Sequence, residues 1–496
     1  RYRELLKTNG FGSQQELLLA TVKSEFIPCL YTVLTSMVAF GSLVVSDIRP
    51  IIDFGWMMVF GLTISIVLAF TLFPAALALL KLEKNVNGIQ ITLAIPRFFV
   101  RIDRKYGGLI LLAFSALTLL SIIGISQLTV ENRFIDYYKS STEIYQGMEM
   151  IDRELGGTTP MDIIIDAPSS FFESDYSDED EELDEINDLF DDDMEGEAGI
   201  TGTSYWFNTF SLGQVAEIHD YLDSLDETGK VLSLTTTLRM LKKLDQDIVD
   251  DDFALAVLYK QLPPDMKSLL VSPYLSEDGN QLRFSIRVFE SDPSLKRQEL
   301  LKKIRHHLTT NMGLEDEQVK ITGILVLYNN MLQSLFQSQI LTIGVVFVAI
   351  LLMFIVLFRN AHMAIIAIIP NVFSATIVLG LMGWMSIPLD IMTITIAAIC
   401  IGIAVDNTIH YVHRFSEEYN NGYSYWKAIR NSHETIGCAI YYTTITIALG
   451  FSILAFSNFI PTIYFGLLTG FSMIAALIAN LTLLPLLIVR FKPLNK

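Results

Sequence analysis

The chain is poor in cysteine: its 496 residues hold three, Cys29, Cys400 and Cys438, each in or beside a long apolar run. None falls in residues 127–336, so no disulfide framework supports that long polar stretch. The chain opens "RYRELLKTNG", without Met or a signal sequence. There is no Gly-x-x-x-x-Gly-Lys phosphate loop, which excludes nucleotide binding by that route. His-Glu-x-x-His and Gly-x-Ser-x-Gly elements are also missing, so no enzyme is expected. Positive charge is scarce: 35 Lys and Arg stand against 54 Asp and Glu, for a net charge of −19. Most of that excess is one tract, residues 173–197, with 15 acids and no Lys or Arg; without it the net charge is −4. Nucleic-acid binding is therefore not expected, and the tract reads as a solvated, disordered insertion. Its Asp191, Asp193, Glu195 and Gly196 resemble the start of a calcium loop, but Gly202 stands where a bidentate Glu is needed.

Apolar residues are abundant, at 51% with a mean hydropathy of +0.43, and they come in long blocks. Eight stretches can cross a ~30 Å hydrocarbon core, which takes about 20 helical residues. They lie near 29–46, 54–80, 107–126, 338–358, 363–384, 390–412, 437–456 and 462–489. The fold class is a polytopic α-helical membrane protein.

Residues 31–81 and 442–492 form an ungapped internal repeat at an offset of 411. Tyr31, Thr32, Thr35, Phe40, Ser46, Pro50, Phe54, Gly55, Pro74 and Lys81 recur as Tyr442, Thr443, Thr446, Phe451, Ser457, Pro461, Phe465, Gly466, Pro485 and Lys492. With small gaps, residues 1–4 echo 414–417 and Glu25 to Cys29 echo Glu434 to Cys438. Such duplicated helix blocks build many secondary transporters, with the site at the repeat interface. The second copy follows the helix at 390–413, whereas the first begins at the equivalent of Arg414. A matching helix is therefore expected upstream, in a missing N-terminal half of the same protein.

Three parts follow: residues 1–126 (end of the first membrane repeat plus one helix), 127–336 (an extramembranous α+β domain carrying the acidic tract) and 337–496 (the second repeat). Lys and Arg cluster in the loops at 81–84, 97–106, 359, 414–430 and 490–496, which marks that side as cytoplasmic and puts 127–336 outside. In that region, 143–155, 212–225 and 294–308 have helical spacing, 281–290 alternates as a strand, and 319–326 is strand-like. Helices between short strands suggest ferredoxin-like split β-α-β units. The pair His306-His307 on the helix at 294–308 carries no evident chemistry.

One bare acid, Asp406, interrupts the apolar run "CIGIAVDNTIHYVHRF" at 400–415. Ala398, Gly402, Asp406 and His410 are four apart and share one helix face, where small residues let another helix approach. A carboxyl facing lipid is costly, so Asp406 should face a partner or a wet pocket. From Asp390 it lies about 24 Å along the helix, which leaves a second reading in which it reaches water at the cytoplasmic end. Asp406, His410 and His413 do not make a metal site, for no third or fourth ligand is visible. His410 is a candidate proton conduit. Thr443 and Thr446 share a face of the next helix. They either bond back to their own backbone or hydrogen-bond Asp406 and tune its proton affinity.

"GIAVDNTIHYVHRFSEEY" (402–419) resembles the tenth-helix signature of the resistance-nodulation-division superfamily, in its lipid-exporter (MmpL-like) and sterol-sensing-domain-related branch. "FGLLTGFSMIAALIANLTLLP" (465–485) is similar to that family's last helix, and "ELGGTTPMDIIIDAP" (154–168) to the start of its second periplasmic domain. The resemblance covers essentially the whole chain, as the fifth to twelfth helices of the family. It implies a multi-pass protein of the bacterial inner membrane with 127–336 as a periplasmic porter domain. It also implies proton-driven export of hydrophobic or amphipathic, lipidic substrates, with no cofactor beyond the proton gradient; a homo-oligomer is a further expected partner. Asp406 would carry the proton, with Thr443, Thr446 and His410 as relay and Ala398, Gly402 and Asn407 packing beside it. Several lipid exporters have Tyr where Asn407 stands, and the family's fourth helix, which holds a partner acid, is not in this chain. Three alternatives stand open: a sterol-sensing-type lipid-binding or regulatory protein without proton coupling, a proton-driven accessory to protein translocation, and an intramembrane hydrolase using Asp406 and His410.

Overall fold

In a computed structural model of the chain, the described residues are 2, 5, 13–45, 49–79, 94–128, 130, 133–169, 171, 205–243, 255 and 263–494. The acidic tract 173–197, the loop at 81–84 and three of the four residues in the 1–4 echo lie outside them. Two compact units divide the chain: Arg1–Asn132 with Leu332–Lys496, and Arg133–Met331. The first begins with helices α1 (Gln14–Gly41), α2 (Arg49–Leu79) and α3 (Ala94–Ile125). The second runs α4 (Glu143–Glu154), β1 (Thr159–Asp166), α5 (Thr209–Asp223), β2 (Thr228–Leu232) and α6 (Leu234–Lys242). It continues with α7 (Pro264–Leu270), β3 (Gln281–Val288), α8 (Arg297–His306) and β4 (Val319–Thr322). Then come α9 (Ile324–Phe358), α10 (Ala361–Trp384), α11 (Ile391–Asn420) and α12 (Tyr425–Ser432). The chain closes with α13 (Cys438–Ser452), α14 (Ile460–Ile478) and α15 (Leu484–Phe491).

Among the described residues, eight helical runs are long and apolar enough to cross a membrane. They are Gln14–Val45, Arg49–Leu79, Arg97–Ile125, Ile340–Phe358, Ala361–Trp384, Thr395–Asn420, Tyr425–Phe456 and Ile460–Phe491. The expected polytopic α-helical class therefore holds. Several runs begin before the apolar block does. The first starts at Gln14, where Ser13 accepts the Glu16 N–H at 3.2 Å, and not at 29. Intrahelical hydrogen bonds need no apolar surroundings, so hydropathy finds the middle of such a helix but not its capped end.

The repeat is also a repeat of packing. A 3₁₀ turn ends the first helix of each copy, at Ser42–Val45 and Ile453–Phe456, 411 residues apart. Phe40 meets Phe54 edge-on at 6.1 Å, and Phe451 meets Phe465 edge-on at 5.8 Å. Gly55 and Gly466 allow both contacts: a Cβ there would lie 2.8 Å from the Phe40 carbonyl oxygen and 2.4 Å from that of Phe451. Gly55→Ala and Gly466→Ala are each expected to destabilise the membrane unit by about 1–3 kcal/mol. Gly61→Ala, with nothing within 4 Å of the added carbon, is expected to be neutral or stabilising. Thermal unfolding of the three variants in detergent checks the contrast.

In the second unit the strands form one sheet in the order β2-β3-β1-β4. β1 lies antiparallel to β3 from Thr159↔Val288 to Asp166↔Gln281, and antiparallel to β4. β2 pairs antiparallel with β3. Each of the pairs β1/β2 and β3/β4 is thus parallel with one strand between, the arrangement of two split β-α-β units. Alternation sends Met161, Ile163 and Ile165 of β1 and Leu282, Phe284, Ile286 and Val288 of β3 to one face, all fully buried. Val215, Ile218 and Leu222 of α5 and Leu300 and Ile304 of α8 join them in one core. The strand expected over 319–326 ends at Thr322. Gly323, at φ +106°, breaks it, and α9 starts at Ile324. His307 stacks on Tyr221 with ring centres 3.5 Å apart, a packing role.

Asp152, at the end of α4, ties this unit together. Its carboxylate accepts from Thr158 Oγ1 at 2.6 Å and from the Ser291 and Glu290 backbone N–H groups at 2.8 and 3.1 Å. Burial works against its charge, but the hydrogen bonds from Ser291, Thr158 and Glu290 outweigh it, and the group titrates below its ordinary value. A lowered folded value stabilises the unit above the unfolded pKa of about 4, and that contribution is lost as pH falls through the folded value. Hydrogen exchange at Glu290 and Ser291, corrected for intrinsic rates, is expected to accelerate below about pH 4. In Asp152→Asn it should be fast at every pH.

Candidate functional site

α11 is anchored at its start by a reciprocal cap. The Asp390 carboxylate accepts from Met392 and Thr393 N–H at 2.8 and 2.6 Å, and Thr393 Oγ1 accepts from the Asp390 N–H at 2.8 Å. The helix is buried along most of its length, with Ala398 fully buried. Gly402 faces α1, where an added Cβ would lie 3.1 Å from Ala39 Cβ. That small pair lets the two helices approach, and one turn further it sets Thr35 and Ser36 of α1 opposite Asp406.

Ser36 Oγ lies 3.4 and 3.5 Å from the Asp406 carboxyl oxygens and 3.4 Å from the Gly402 carbonyl oxygen. Thr35 Oγ1 lies 3.5 Å from Asp406 Oδ1. Thr35 has one proton and a nearer acceptor, the Thr32 carbonyl oxygen at 2.7 Å. Ser36 likewise has one proton for the Asp406 carboxyl and the Gly402 carbonyl oxygen. Among the described residues no Lys or Arg stands within ion-pair distance of Asp406. The half-buried side chain borders a cleft.

That cleft, of about 580 Å³, lies between α1, α11 and α13 and is lined by Asp406, Asn407, His410, His413, Glu25 and Thr443 among others. His410 is half-buried one turn beyond Asp406 and His413 is exposed at the next, so titratable groups line the cleft from the acid outward. Arg414 is held at its edge by Glu417 at 3.0 Å and Glu418 at 2.8 Å. Among the described residues no group of His, Cys, Asp or Glu is placed to hold a metal ion.

Of the two readings of the threonines, bonding back to the helix is the one seen at Thr443. Thr443 lines the cleft, but it is exposed and its hydroxyl donates to the Ala439 carbonyl at 2.9 Å; Thr446 is exposed. The hydroxyls on Asp406 come instead from the first copy, and Thr35 is the repeat equivalent of Thr446. The second copy contributes through Thr444, whose Oγ1 accepts from Asn407 Nδ2 at 3.4 Å.

Sequence reasoning also missed the polar core behind α11. Thr408 Oγ1 lies 2.8 Å from Asn480 Oδ1 and accepts from Asn371 Nδ2 at 3.2 Å, with all three side chains fully buried. Lower down, Tyr411 Oη and His433 Nδ1 are 3.0 Å apart, and His433 Nε2 donates to the Leu481 carbonyl at 3.0 Å. These bonds hold α11 against α10 and the π-turns His433–Gly437 and Ala479–Leu483, so the face carrying Asp406 cannot rotate freely. A further buried acid, Asp103 of α3, is 1% exposed, and among the described residues nothing hydrogen-bonds either of its oxygens.

Known proteins place this architecture. A 153-residue stretch is 32% identical to a membrane protein of Methanocaldococcus jannaschii, over 31% of this chain and 39% of that relative. The fold is similar to the hedgehog release protein Disp of the water bear Hypsibius dujardini, with a TM-score of 0.58 and 14% identity over 95% of this chain. It is also similar to SecDF, a translocon-associated membrane protein of Thermus thermophilus, with a TM-score of 0.50 and 11% identity over 99% of this chain. The chain spans 59% of the first structure's length and 52% of the second's. The MMPL family profile matches residues 213–491, more than half of the 496. This chain is a multi-pass membrane protein of the MMPL family.

Proposed function

We propose that this chain is part of a proton-driven exporter of hydrophobic or amphipathic, lipidic substrates, and that Asp406 takes up and releases the coupling proton. The observation that carries the reading is the setting of Asp406. It is an acid inside a membrane-length helix, without a cationic partner among the described residues, met by two hydroxyls on one side and a cleft on the other. Intramembrane acids are rare and functional by default. A neutral acid and a carboxylate demand different neighbours, so proton gain and loss would favour different packings of α1 against α11. His410 is the proton conduit along the cleft in this reading, and Thr35 and Ser36 take the role expected of Thr443 and Thr446. The distribution of Lys and Arg supports an orientation with residues 127–336 on the outer, periplasmic side of a bacterial inner membrane.

The test is transfer of a fluorescent lipid between vesicles by the full-length protein, with and without an imposed pH gradient. Transfer should require the gradient and stop when a protonophore collapses it. Gradient-independent transfer would leave a passive lipid-binding protein.

A further inference from the structure

The start of α3 carries a feature that proton coupling does not use. In "RFFVRIDRKY" (97–106), Arg97, Arg101, Arg104 and Lys105 follow helical spacing and share one face. α12 packs beside this segment and presents Trp426 and Arg430, four residues apart. The six side chains line one cavity of about 540 Å³, a volume within the range of small-molecule sites.

Among the described residues one carboxylate answers these five cations: Glu434 accepts from Arg97 at 3.0 Å and from Arg430 at 3.1 Å. Arg101, Arg104 and Lys105 are exposed and have no ion-pair partner among the described residues. Asp103, on the same turn, is turned away and buried. A preference for Lys and Arg on one side of the membrane explains how many cations occur there. It does not explain why cations of two helices converge on one cavity beside a half-buried indole.

Depth gives the ligand its character. The apolar run Arg97–Ile125 has 29 residues, about 43 Å of helix against a ~30 Å hydrocarbon core. Its first two turns therefore reach the headgroup layer, and the helix kinks at Tyr106, with φ −123° and ψ 21°. Beyond the kink, Leu109 and Leu112 are 64% and 68% exposed, an apolar surface that acyl chains can follow.

We infer that the cavity between α3 and α12 binds the phosphate of an anionic lipid headgroup, with Arg101, Arg104 and Arg430 as its principal ligands. Guanidinium groups suit a phosphate because they offer paired N–H donors in a plane, and basic pockets between membrane helices are known to hold such headgroups.

Native mass spectrometry of the full-length protein, released from nanodiscs of phosphatidylglycerol and phosphatidylcholine, tests the site. In Arg101→Gln/Arg104→Gln/Arg430→Gln, retention of phosphatidylglycerol is expected to fall on the order of a hundredfold, since each cation near an anionic surface contributes a factor of about five. A control with equal charge loss on the same side, Arg359→Gln/Arg490→Gln/Lys492→Gln, should keep it within about twofold. Equal loss in both triples would assign the lipid to bulk surface charge and overturn the site. Binding of inorganic phosphate in pure phosphatidylcholine nanodiscs as tight as that of phosphatidylglycerol would make the ligand a soluble phosphate and overturn the lipid assignment. Arg104→Gln alone, monodisperse on gel filtration, guards against misfolding of the triple and should retain several-fold less phosphatidylglycerol than wild type; unchanged retention would count against the site.

Discussion

Asp406→Asn is expected to reduce gradient-driven lipid transfer to the level of protein-free vesicles while leaving the protein folded. Asn has the size of Asp and can both donate to Thr35 Oγ1 and accept from Ser36 Oγ, so the contact between α1 and α11 survives. What it cannot do is exchange a proton. Ser36→Ala removes one of the two hydroxyls beside the carboxyl, and should shift the pH at which transfer is half-maximal without abolishing it. Thr443→Ala and Thr446→Ala should change transfer by less than about twofold, because both threonines are exposed and Thr443 is bonded to its own backbone. Transfer measured at a series of pH values for the four variants separates these outcomes. A Thr446→Ala protein as inactive as Asp406→Asn would contradict the placement of the acid.

The second large effect lies in the extramembranous unit. Arg297 and Glu290 form a buried ion pair, 1% and 5% exposed, with Nη2 and Oε1 2.5 Å apart. Glu290 also accepts from the Phe134 N–H at 2.7 Å and from Thr159 Oγ1 at 2.9 Å, and the Arg297 guanidinium lies over the Tyr328 ring at 5.1 Å. Removing one partner leaves a buried charge without its counterion. Arg297→Met is therefore expected to cost about 3–5 kcal/mol, and Glu290→Gln a similar amount. The double variant should recover part of that loss, since two neutral side chains leave no unpaired charge. Hydrogen exchange of the β3 amides in the full-length chain reads the local stability. Two single losses that simply add in the double variant would mean that the pair is not coupled.

Much of this was legible from residue patterns. Strict alternation in "QLRFSIRVFE" foretold β3, and long apolar blocks foretold the eight membrane-length helices. The offset of 411 foretold a duplicated packing that recurs down to Phe40–Phe54 and Phe451–Phe465. Other features depend on contacts that no local pattern carries. The offset relates Thr35 to Thr446 but does not say which copy packs against α11; that follows from the close approach of Ala39 to Gly402. Ser36 has no polar counterpart, since Ile447 takes its place, so the repeat alone does not point to it. β1 is not legible as a strand because "TPMDIIID" breaks its alternation with a run of three isoleucines, and pairing on both edges, with β3 and β4, is what makes it a strand. Asp103 was hidden by its basic neighbours. Within "VRIDRKY" it looks like one more solvated charge, yet it falls on the helix face that turns inward. Thr408, Asn371 and Asn480 come from α11, α10 and the π-turn Ala479–Leu483, and only tertiary packing brings them together.

The central claim is that Asp406 gains and loses a proton, and infrared difference spectroscopy of the reconstituted full-length protein addresses it most directly. Spectra taken across a pH step contain a carboxyl band for each buried acid that titrates. In wild type one such component should appear on lowering the pH; it should be missing in Asp406→Asn and retained in Asp103→Asn. A carboxyl band that persists unchanged in Asp406→Asn would contradict Asp406 as the proton carrier.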